Sequence, residues 1–141
     1  MQGSKKPMKL SRRALQAAVT IVGIVPVSAG LAGAALGPAM IGVNAPVDLD
    51  SHYRYLSGLL LAIGLAFWAI IPSIERRTTE FRLLTFLVVA GGISRLVSLA
   101  AVGIPSPQMA AAFSTELVIT PLLCLWQTAI REKVASSPLP Q

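Results

Sequence analysis

Charged side chains are absent from residues 14–47 and again from residues 55–74, and two further apolar runs follow. A helix that crosses a bilayer needs about 20 consecutive, mostly apolar residues. The pattern therefore predicts four spans, at about 15–36, 55–74, 81–102 and 110–130. Pro72 and the charged triplet Glu75-Arg76-Arg77 close the second span. In the third, the only charges are Arg82 at its start and Arg95 inside it. The turn Pro105-Ser106-Pro107 separates it from the fourth, because closely spaced prolines stop a helix. Glu116 and Pro121 lie within the fourth. Residues 1–14 then form a basic tail, and the Pro- and Ser-rich composition of residues 131–141 predicts a disordered one. The expected fold class is all-α, a four-helix transmembrane bundle with one membrane domain over residues 15–130. A basic start before an apolar run also resembles a secretory signal. The run extends well past the core of about 7–15 residues typical of such signals, so the first span is expected to remain in place.

Composition agrees with this solvent. Of 141 residues, 54% are hydrophobic and 13% charged, against about 25% charged in an ordinary soluble domain. The net charge of +6 would suit nucleic acid, but the placement of the bases argues otherwise. Lys5, Lys6, Lys9, Arg12 and Arg13 precede the first span, Arg76, Arg77 and Arg82 flank the loop between the second and third, and Arg131 and Lys133 follow the fourth. The intervening loops carry only Arg54. That asymmetry is the positive-inside pattern. It predicts both termini in the cytoplasm, a multi-pass location in an inner (cytoplasmic) membrane, the lipid bilayer as solvent and no nucleic-acid partner. Cys124 is the only cysteine, so no intramolecular disulfide or thiolate metal cage can form.

The spacing of small and polar residues indicates what each span presents. Gly23, Pro26, Gly30, Gly33 and Gly37 recur at steps of three and four and share one stripe of the first helix. Gly33 and Gly37 also form a small-xxx-small step that admits a neighbouring backbone. Intramolecular packing is the preferred reading of that stripe, ahead of a dimer face and a ligand groove. Asp48, Asp50, His52, Tyr53, Arg54 and Tyr55 lead into the second span at an interface. Asp50 suits a helix N-terminus as cap or dipole partner, and Arg54 suits snorkelling to headgroups. A lone histidine does not make a metal site, and none is expected.

Arg95 and Glu116 stand out. An unpaired arginine near mid-bilayer costs about 2.5–3.5 kcal/mol on insertion scales. Arg95 lies nine residues before Ile104 and Glu116 nine after Pro107, each roughly 13 Å from the connecting loop at the helical rise. Two antiparallel helices would bring them level. Gly91 and Gly92, one turn before Arg95, leave room for the approach. The expected polar cluster is Arg95 with Glu116, joined from above by Arg54, His52 and Asp50. A register-fixing ion pair and a functional site are both open readings. Were Arg54 to join, the surplus positive charge would suit an anionic headgroup, a carboxylate or a quinone oxygen.

The runs Leu49-Asp50-Ser51-His52-Tyr53-Arg54-Tyr55-Leu56-Ser57-Gly58, Ile74-Glu75-Arg76-Arg77, Gly91-Gly92-Ile93-Ser94-Arg95-Leu96-Val97-Ser98-Leu99 and Glu116-Leu117-Val118 resemble a bacterial membrane family, domain of unknown function 4345. The resemblance covers roughly residues 15–130 and implies a small four-helix inner-membrane protein with no established activity. The layout also looks like that of DoxX-type four-helix proteins, some of which accompany membrane oxidoreductases; that is a likeness of fold only. No catalytic signature is present, and no motif identifies a cofactor, whose identity stays unknown. The leading expectation is a non-catalytic protein that binds a lipophilic small molecule or serves as accessory subunit of a larger membrane complex. The alternative is an enzyme or redox partner acting on a substrate such as a quinone, with Glu116 moving the proton and Arg95 stabilising the anion. Transport ranks third, since no internal repeat is evident.

Overall fold

Helix formation follows the apolar runs but overshoots them at several ends. The computed structural model describes the backbone of residues 5–136 and side chains from Ser11 onward. Its elements are α1 (Lys5–Leu36), a 3-10 turn (Gly37–Ile41), α2 (Val47–Ile70), a second 3-10 turn (Ile71–Ser73) and α3 (Thr78–Val102). Then come α4 (Pro107–Ser114), a π turn (Thr115–Ile119) and α5 (Thr120–Ala135), which follow one another without a break. The described residues are all-α, with four helical rods long and apolar enough to cross a membrane: Ser11–Ile41, Val47–Ser73, Thr78–Val102 and Pro107–Ala135.

Helix boundaries differ most from the sequence reading at three places. Part of the basic amino-terminal segment is helical and continues α1, and α5 runs to Ala135, past the expected end at 130. The rest of the tail expected to be disordered, residues 137–141, lies outside the described residues, as do residues 1–4. α2 begins at Val47, ahead of the expected residue 55. Pro46 caps it, and the Asp50 amide donates to the Pro46 carbonyl at 3.0 Å. Asp50 is therefore inside the first turn and not the residue before it. Acids there favour the helix through its dipole, so the polar start extends the helix and does not delay it.

The chain divides into two compact units: residues 19–71, and residues up to 18 together with those from 72 onward. In the first, α1 and α2 form an antiparallel hairpin set by glycine. A Cβ on Gly23 would meet the Trp68 indole, one on Gly30 the backbone of Leu61 and Ser57, and one on Gly33 the side chains of Ser57 and Tyr53. Gly37 faces Asp50 and Arg54, and from the other side Gly64 faces Val27 and Pro26. Fourteen residues along the first rod, Gly23 to Gly37, thus match fourteen back along α2, Trp68 to Arg54. In lipid, helices gain little from hiding apolar surface, so close backbone packing is what holds such a pair. The Trp68 indole donates to the Thr20 carbonyl at 3.2 Å and ties the end of the pair away from its connecting loop.

In the other unit the 72–78 turn is held from two sides. Arg12 Nη2 donates to the Pro72 carbonyl at 2.7 Å, and its Nε lies 3.0 Å from Glu75 Oε2. Gln127, fully buried on α5, donates from Nε2 to the Ile74 carbonyl at 2.7 Å and to Thr78 Oγ1 at 3.0 Å. Trp126 Nε1 donates to Ser11 Oγ at 3.2 Å. Leu15, Ile74 and Phe81 are completely buried in the same unit.

Two glycines separate these packing effects from helix propensity. Gly30→Ala would bring a Cβ to 2.5 Å from the Leu61 amide nitrogen and is expected to lower stability by about 1–3 kcal/mol. Gly58→Ala meets nothing within 4 Å and is expected to raise it by up to about 1 kcal/mol. Unfolding of both variants in one detergent is the check, and equal shifts would refute the glycine-set hairpin.

Candidate functional site

Of the five polar residues expected to form one cluster, Asp50, His52 and Arg54 belong to the unit of residues 19–71, and Arg95 and Glu116 to the other. In the α1–α2 hairpin, Arg54 Nε donates to Asp50 Oδ2 at 2.8 Å and Nη2 to Asp50 Oδ1 at 3.3 Å. Arg54 Nη1 donates to the carbonyls of Ala34 at 3.1 Å and Ala35 at 2.7 Å. These carbonyls belong to the last turn of α1, where a helix has no further amide to offer them. Arg54 is thus a C-terminal cap, and Asp50, one turn earlier on α2, neutralises it. Gly37 makes room for both: its φ of +63° is left-handed, and a Cβ there would lie 2.5 Å from Asp50 Oδ1 and 2.8 Å from Arg54 Nη2. All three guanidinium nitrogens of Arg54 are engaged. His52 is exposed, its ring centroid 6.5 Å from that of Tyr55.

In the other unit, Arg95 on α3 meets Glu116 on the π turn. Arg95 Nε lies 3.2 Å from Glu116 Oε1 and 3.0 Å from Oε2, so the carboxylate straddles one nitrogen instead of matching the guanidinium fork. Arg95 Nη1 donates to Met109 Sδ at 3.2 Å, a weak acceptor. Nη2 takes no part in these contacts. The Arg95 side chain is 40% exposed and that of Glu116 16%. Arg95 stands seven residues before the end of α3, about 10 Å along the axis, and so below the surface of the rod's apolar length.

The π turn is the feature the sequence reading missed. Pro121 brings no amide and its ring crowds the preceding turn. The helix widens just before it: the Thr120 amide reaches back five residues to the Thr115 carbonyl, and Thr120 Oγ1 donates to the same oxygen at 2.9 Å. Such wide turns occur mostly as single insertions and often at functional sites. Gly92 receives this one, since a Cβ there would lie 2.6 Å from Leu117 Cδ2 and 3.1 Å from Glu116 Cβ. Gly91 differs, with nothing within 4 Å of its Cβ direction. The available signal was Pro121, five residues after Glu116. Among the described residues, no group of three His, Cys, Asp or Glu side chains is placed to hold a metal ion.

Residues 14–127 match the family described as Domain of unknown function (DUF4345). The chain belongs to the DUF4345 family. The matched region of this DUF4345 member contains both polar groups and all the glycines discussed above. No curated protein and no solved structure matches the chain.

The two arginines separate in their demands on the fold. Arg54→Leu strips the donors from Ala34, Ala35 and Asp50 together and is expected to cost about 1–3 kcal/mol. Asp50 and Arg54 are both well exposed, so most of that loss comes from the α1 carbonyls. Unfolding in detergent measures it. For the other pair, Arg95→Leu alone should destabilise, while Arg95→Leu combined with Glu116→Leu should recover the loss.

Proposed function

We propose that this DUF4345 protein is a non-catalytic, multi-pass protein of a bacterial inner membrane, and that it holds the oxygen-bearing head of a membrane-soluble ligand at Arg95. The contrast between the two arginines carries the reading. Arg54 spends every nitrogen on its own chain, whereas Arg95 Nη2 takes no part in the described hydrogen bonds and ion pairs and Arg95 Nη1 is matched only by a thioether. A guanidinium within an apolar span is costly unless its donors are met. An acceptor from outside the described chain is the economical way to meet them, and a planar fork favours carboxylate or phosphate oxygens. With both termini in the cytoplasm, as the distribution of bases favours, the site opens from the outer half of the bilayer. Among the described contacts of Arg95 the acid–base group is Glu116, tied to the guanidinium itself, and ligand holding is preferred to turnover.

Native mass spectrometry of gently extracted protein tests this. A single stoichiometric small molecule or lipid is expected on the wild type and on Leu99→Ala, and its loss is expected on Arg95→Ala. Equal retention by Arg95→Ala and Leu99→Ala would overturn the reading. Recovery of a partner subunit in place of a small molecule would assign the free donor to an acid of that subunit and make the protein an accessory subunit.

A further inference from the structure

Charge balance at Arg95 limits how an anion can bind there. Glu116 already neutralises the guanidinium, with its Oε2 3.0 Å from Arg95 Nε. An added anion would leave one uncompensated negative charge in a low-dielectric span, which is strongly disfavoured. Among the described residues of the unit that holds Arg95, no second base stands near enough to absorb it, and Arg54 of the α1–α2 hairpin is already neutralised by Asp50. From α3, Arg95 faces Glu116; the other charged groups of that helix, Glu80 and Arg82, are fifteen and thirteen residues before Arg95, about 20 Å along the axis. On Glu116's own rod the nearest titratable group is Cys124, eight residues on, about 12 Å away. Of the amino-terminal segment, Arg12 is paired to Glu75 ahead of the start of α3, and Arg13 is its neighbour in sequence.

The geometry is suited to exchange. The carboxylate grips a single guanidinium nitrogen, so an incoming anion can engage Nη2 before Glu116 lets go. Met109, the other contact, gives up a weak hydrogen bond. Glu116 also sits on a wide turn whose Thr115 carbonyl is satisfied by Thr120, so the carboxylate owes nothing to the helix backbone.

We infer that Glu116 is an exchangeable counter-ion, and that a membrane-soluble monoanion binds Arg95 together with one proton, taken from water, that neutralises Glu116. This rests on the reading of Arg95 as the ligand anchor. The balance is one anion and one proton in, with no bond made or broken in the ligand. Affinity therefore weakens as pH rises, by at most about tenfold per pH unit over the window in which the bound state carries the extra proton. The shared ligand chemistry is a singly charged oxygen head, which either a phosphodiester lipid or a free fatty acid provides.

The test uses the full chain in phosphatidylcholine nanodiscs, titrated calorimetrically with short-chain phosphatidylglycerol and, separately, with octanoate. Titration of each probe into empty nanodiscs subtracts any proton that the probe itself takes up on entering the bilayer, so the remaining pH dependence belongs to the protein. Paired buffers of different ionisation enthalpy count protons. Binding of either probe with uptake near one proton supports the inference, and which probe binds identifies the source. Glu116→Gln should bind with pH-independent affinity and take up no proton, and Arg95→Ala should not bind. Wild-type binding with no proton uptake, lost in Arg95→Ala, would overturn the exchange and leave the anchor standing. Failure of the wild type to bind either probe would overturn both. Circular dichroism and melting of each variant confirm that it is folded, and Arg95→Lys, which keeps the charge without the fork, should bind more weakly than wild type.

Discussion

A hydrocarbon solvent offers no hydrogen bonds, and this one constraint organises the polar residues of the chain. Every place where a helix ends or widens exposes backbone oxygen or nitrogen that water would otherwise cover. At the end of α1 the carbonyls of Ala34 and Ala35 go to Arg54. At the 72–78 turn those of Pro72 and Ile74 go to Arg12 and Gln127. At the π turn the Thr115 carbonyl takes both donors of Thr120. All four of these side chains, Arg12, Arg54, Gln127 and Thr120, lie within the apolar rods, where their desolvation is tolerable because each completes a backbone.

The same solvent explains the glycines. Without a hydrophobic force between helices, contact depends on backbones coming close enough for dispersion to accumulate. The hairpin of α1 and α2 reaches that distance at Gly23, Gly30, Gly33 and Gly37 on one side and Gly64 on the other. Gly92 serves the approach of the π turn to α3. Gly91, adjacent in sequence, points away from that contact, since neighbours on a helix are separated by about 100°.

Much of this was legible in the chain. Charge-free runs of sufficient length specify four rods, because a bilayer tolerates few alternatives. The step of three and four in Gly23 to Gly37 specifies a face. The Arg95–Glu116 contact follows from two charges at equal depth on helices joined by a short loop. What escaped were features set by tertiary partners. Gln127 reads as one more polar residue near a helix end until Ile74 and Thr78 are seen beside it. Arg54 reads as a free surplus cation until Asp50 and the α1 carbonyls account for it. Pro121 announces a local break but not its form, since a kink, an unpaired carbonyl and a wide turn all answer the missing amide. The early start of α2 was hidden because polarity was read as interface, whereas acids in a first turn stabilise a helix.

Arg95 is the residue that this economy does not explain. Arg54, Gln127 and Arg12 each complete a carbonyl, so their presence needs nothing beyond the fold. Arg95 completes none. Its described acceptors are a carboxylate and a thioether, neither of which is a backbone group in need of a donor. Removing Arg95 and Glu116 together would leave no unsatisfied main-chain atom that they now satisfy. A pair that the backbone does not require, held below the surface of an apolar rod and set on the single π turn among the described residues, has its reason outside the secondary structure. Register alone is a weak reason, because Gly92 against Leu117 already fixes the approach of these helices by shape. The exchange of counter-ion proposed for Glu116 supplies such a reason, because an arginine gripped through one nitrogen can change partner where a fully forked pair could not.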